Sequence, residues 1–109
     1  MSFLFPDGTY WGVASWVSRG FFADAKEFLL EAPALADDVM FCIEADVDTI
    51  DLRAADQEAL IQLLALVDRV LAVNRIAGPG GFRDPEACDV YLKLLEELRR
   101  TLTSLVTKT

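Results

Sequence analysis

The stretch F41-C-I-E-A-D-V-D-T-I-D51 decides how this chain is read, because its side chains alternate while four carboxylates crowd close together. Taken as extended, Phe41, Ile43, Ala45 and Val47 point to one side and Glu44, Asp46 and Asp48 to the other, with Asp51 just beyond. Period two over residues 39 to 50 predicts a strand with one apolar and one acidic face. The propensities argue the other way, since Asp and Glu are poor strand formers and Glu44-Ala45 suits a helix.

Outward from that stretch, the charge is concentrated. Between Asp24 and Glu58 eleven carboxylates stand against Lys26 and Arg53, whereas the whole chain of 109 residues carries a net charge of -8. The acidic excess therefore sits in the middle third. Such a surface repels nucleic acid and anionic lipid, which are bound through Lys and Arg, and attracts basic proteins or cations.

Flanking elements are marked by turn chemistry and helical spacing. Residues 2 to 14 read as a hairpin, two aromatic strands around Pro6-Asp7-Gly8. Val17, Phe21, Ala25, Phe28 and Ala32 recur at helical spacing up to Pro33, with Gly20 weakening the first turns. From Ala54 to about Ala77, Leu60, Leu63, Leu64, Val67, Val70 and Leu71 predict a deeply buried helix, ended by Gly78-Pro79. Asp84 and Pro85 then open a last helix, to about Val106, with Val90, Tyr91, Leu94, Leu98, Leu102 and Leu105 inward.

The expected fold is α+β, a single domain over residues 1 to 109: a small antiparallel sheet, made of the hairpin and a third strand, against about three helices, the last two long and antiparallel. The alternative is an all-α bundle. Eight of the eleven aromatics lie between Phe3 and Phe28, a core signature unless Tyr10, Trp11 or Trp16 faces outward as an interface anchor.

Several chemistries are excluded by composition. There is no histidine, so Ser-His-Asp, Cys-His and HExxH sites are impossible, and two cysteines cannot hold structural zinc. Asp46 opens an imitation of a calcium loop, but Asp51 stands where Gly is required and Gln57 where a bidentate Glu belongs. Ala77 to Phe82 is Gly-rich without a GK[ST] ending. No cofactor, metal or catalytic residue is expected. The longest apolar runs, such as Leu63 to Val67, are far too short to span a bilayer, and the start lacks a leader pattern, so the chain reads as cytoplasmic with no membrane partner.

What remains is a non-enzymatic acidic protein that covers a basic protein surface. The profile is similar, in bulk properties alone, to that of immunity-type inhibitors of nuclease toxins. On this reading Glu44, Asp46, Asp48 and Asp51, aided by Asp37 and Asp38, bind Lys and Arg of the partner from an exposed acidic ribbon. The alternative is a homo-oligomeric accessory domain, such as a homodimer, held by apolar surface and acidic only for solubility.

Overall fold

Phe3, the middle residue of a three-residue strand, sits at the centre of the sheet and of the core. The computed structural model describes residues 2–45, 49–77 and 85–107. Among them β1 (Ser2–Leu4) and β2 (Tyr10–Gly12) form the expected antiparallel hairpin, with Phe3 opposite Trp11. Its turn closes where the Gly8 N–H donates to the Phe5 carbonyl at 3.1 Å, and Gly8 adopts φ +87°, the left-handed region that Gly occupies without a Cβ clash. Asp7 stiffens the loop by accepting from the Thr9 N–H and hydroxyl at 2.9 and 2.6 Å.

Helix α1 (Ser15–Ala25) continues into a 3₁₀ segment, Lys26–Glu31. Then comes α2 (Ala36–Ala45), where a strand over residues 39 to 50 was expected. Leu35, Val39 and Cys42 are buried at i, i+4, i+7, a helical spacing that anchors this segment on the core. Asp37 and Asp38 in the first turn suit the positive end of the helix dipole. Among the described residues the third strand, β3, is Thr49–Asp51. It pairs with β1 in parallel, Phe3 beside Ile50, so the sheet is mixed, ordered β2-β1-β3, and not all antiparallel. The helices between β1 and β3 make the crossover that a parallel pair requires.

Two long helices complete the α+β fold, α3 (Gln57–Ala77) and α4 (Pro85–Thr107), which pack on each other more extensively than any other pair of elements. Asp56 caps α3, its Oδ1 accepting from the Ala59 N–H at 3.0 Å. The expected stop at Gly78-Pro79 and the cap at Asp84 lie outside the described residues.

Phe3 meets Trp11, Phe21 and Phe22 at ring-centroid distances of 5.3, 5.9 and 6.2 Å. The N-terminal aromatics are therefore mainly core, with Tyr10 and Trp16 left exposed. In α4 the inward set is Tyr91, Leu95, Leu98, Leu102 and Leu105, while Val90 is 45% exposed. At one edge of this core Tyr91 donates its hydroxyl to Asp24 Oδ2 at 3.0 Å, and Asn74 Nδ2 donates to the same oxygen at 3.0 Å. Among the described residues no helix is long and apolar enough to cross a membrane.

Candidate functional site

Over residues 39 to 45 a helix stands in place of the expected acidic ribbon, and this corrects the premise of the electrostatic reading. Glu44 belongs to a helix, Asp46 and Asp48 lie outside the described residues, and Asp51 is already engaged. Arg53 grips Asp51 with two guanidinium bonds of 2.9 and 2.8 Å and one backbone N–H bond of 3.0 Å. Those bonds, the side-chain ones foremost, hold the Asp51 carboxyl down at about 2. Asp51 is therefore half of an ion pair.

The helix gathers the acids in another way. Asp37, Phe41 and Glu44 follow i, i+4, i+7 spacing, so they share one face of α2, and all three are exposed. Phe41 is 61% exposed, unlike the eight N-terminal aromatics' buried majority. Asp38 lies on the flank, where it lines two adjoining depressions between α2, β3 and the start of α3. The smaller, about 160 Å³, is bounded by Asp38, Phe41, Cys42, Thr49, Ile50 and Asp51. The larger, about 350 Å³, adds Asp56 to Asp38 and Asp51 over an apolar floor that includes Leu35 and Leu52.

An exposed aromatic ring is thus bordered by Asp37, Asp38 and Glu44, with Asp51 and Asp56 at the neighbouring depression. Asp56 and Phe41 were not singled out in the sequence. The period-two pattern puts Phe41 on the apolar side of a strand, and only the helical phase turns it outward. The sequence signal for Asp56 is its position as N-cap before the apolar run of α3.

Little in this site suits bond-making chemistry. Cys42 is buried, and burial, with the Asp38 charge second, pushes its thiol up, so it stays protonated at neutral pH; its Sγ donates to the Thr49 carbonyl at 3.8 Å. Among the described residues no three Cys, Asp or Glu side chains are grouped closely enough to hold a metal ion. What the surface does offer is carboxylate acceptors around an apolar contact, the composition that receives Lys and Arg side chains of a protein. Comparison with protein-family models, curated proteins and solved structures gives no match for this chain.

Proposed function

We propose that this chain is a non-enzymatic binding protein whose α2 face covers a basic surface on a partner protein, acting in the cytoplasm as an immunity-type inhibitor of a nuclease toxin. The observation that carries the reading is Phe41, a large apolar side chain left exposed in the most acidic part of the chain, with Asp37 and Glu44 on its own face. An aromatic anchor supplies contact area, and the surrounding carboxylates supply orientation and a fast encounter. Close charge pairs in tight complexes couple by about 1.5 to 7 kcal/mol, so a few such pairs outweigh the mild repulsion among the acids in the free protein. A nuclease surface is basic because it binds phosphates, and covering it removes the substrate's landing site. Both cysteines are free and buried, in keeping with a reducing compartment.

The test is capture of the partner on immobilised protein at low and high salt. Wild type is compared with the triple variant Asp37→Asn, Asp38→Asn, Glu44→Gln, and with Phe41→Ala. All four positions are exposed, so the fold persists. One protein retained at low salt, lost at high salt and lost from both variants is the expected result. Equal recovery of that protein on wild type and triple variant at low salt, or undiminished recovery on wild type at high salt, refutes the electrostatic role.

A further inference from the structure

Helix α3 has a second apolar side. Opposite its buried face, Ile61, Ala65, Ala72 and Ile76 form a stripe at helical spacing, and Ile76 is 88% exposed. Charges border the stripe on both sides. Towards α4 run the pairs Asp68–Arg99 and Arg75–Glu96, the latter at 2.7 Å. Towards the 3₁₀ segment Arg69 bonds Glu31 at 2.6 Å and lies 5.6 Å from the centre of the Phe28 ring. An apolar strip rimmed by charge is the usual anatomy of a protein contact.

Two independent features identify what covers it. The first is the sense of the ion pairs. At Asp68 the acid is on α3 and the base on α4; seven residues on, at Arg75, the base is on α3 and the acid on α4. These two levels are about 10 Å apart along the helix. A two-fold axis midway between them, beside Ala72, lays a second copy's α3 antiparallel on the first. Asp68 then faces the second copy's Arg75, and Arg99 faces its Glu96, so four charges alternate in sign at each of two symmetric places.

The second feature is shape. The same axis brings the second copy's Ile76 level with the turn between Ala65 and Arg69. There the surface has a depression of about 270 Å³, lined by Ala65, Leu66, Asp68, Arg69 and Glu31. The projecting side chain and the depression thus match in the one register that the charges select. Ala72, next to the axis, lets the helices approach to the short end of the usual range, about 8 Å. A surface that complements itself under a two-fold operation is what an isologous dimer requires.

We propose that this chain forms a two-fold dimer through α3, packed antiparallel on α3 of a second copy. This contact uses none of the residues of the α2 docking face, so either can fail without the other.

The experiment is sedimentation equilibrium of the full chain over micromolar to millimolar concentration, with circular dichroism to confirm folding. Wild type approaches twice the chain mass of 12.1 kDa. Asp68→Arg alone sets like charges facing each other, as does Arg75→Asp alone, and each weakens association by about tenfold or more. An equimolar mixture of these two variants restores the dimer, because each chain supplies the sign that the other lacks. Ile76→Lys removes the projecting side chain from an exposed site and weakens association by a similar factor; it decides the matter alone if a charge variant does not fold. A mass of 12.1 kDa throughout for wild type overturns the proposal. So does a dimer equally stable in all variants, or a mixture that fails to reassociate.

Discussion

Replacing Tyr91 with Phe removes a hydroxyl that donates to Asp24 at the junction of α1, α3 and α4. Tyr91 is fully buried, and its hydroxyl donates to Asp24 Oδ2 at 3.0 Å. A hydrogen bond to a charged group contributes about 1.5 to 3 kcal/mol. Asp24 is half-buried and keeps the Asn74 amide on the same oxygen, so the loss belongs at the low end, about 1.5 kcal/mol. At about 4 to 8 °C per kcal/mol for a domain near this size, the melting temperature falls by about 8 °C. Urea unfolding followed by circular dichroism at pH 7 measures this directly.

The pH dependence supplies a second, independent readout. Burial, reinforced by the Asp24 charge, pushes the Tyr91 phenol far above its ordinary value. The folded protein therefore holds this proton where the unfolded chain releases it, near pH ~10. The associated stability is complete below that pH and is lost as pH rises beyond it towards the elevated folded value, by up to about 1.4 kcal/mol per pH unit. Tyr91→Phe has no such proton, so its deficit relative to wild type shrinks by about 1.4 kcal/mol between pH 7 and pH 11. A deficit under about 0.5 kcal/mol at pH 7, or one that stays constant up to pH 11, refutes the assignment.

Gly20 lies within α1, and a Cβ there would meet Tyr91 Cε1 at 3.4 Å, an ordinary contact, without a positive φ to strain it. Gly20→Ala is therefore expected to raise stability by about 0.5 to 1 kcal/mol in the same urea assay, and a loss instead would mean that the ring cannot accept the methyl group. Arg53→Ala should return the Asp51 carboxyl from about 2 towards ~3.9, read by NMR titration of its side-chain carbon. Because the folded value is lowered, the stability it contributes is present above the unfolded value and lost as pH falls towards about 2. An unmoved Asp51 titration would show that the Arg53 bonds do not persist in solution.

The elements with one period and clear punctuation were legible in the sequence. The hairpin around Pro6-Asp7-Gly8 is there, and α3 and α4 begin and end within a few residues of their expected bounds. Their exact phase was not. Of the expected inward set Tyr91, Leu98, Leu102 and Leu105 are buried and Leu94 packs partly against the core, but Val90 is 45% exposed and Leu95, outside that set, is fully buried. A wide apolar stripe fixes a helix face only to within a residue or so, and the neighbouring helix chooses within that range.

By itself the sequence determined the fold class, the acidic middle third and the absence of histidine chemistry, because composition and local turn residues act without long-range contacts. Only tertiary structure decided what residues 39 to 45 become. Their apolar positions fit both periods, and local propensity differs too little between helix and strand to settle a ten-residue segment. The choice follows from burying Leu35, Val39 and Cys42 together while β1 takes its second partner from the short strand Thr49–Asp51. That packing turns Phe41 outward among the carboxylates and gives the chain the surface on which its proposed function rests.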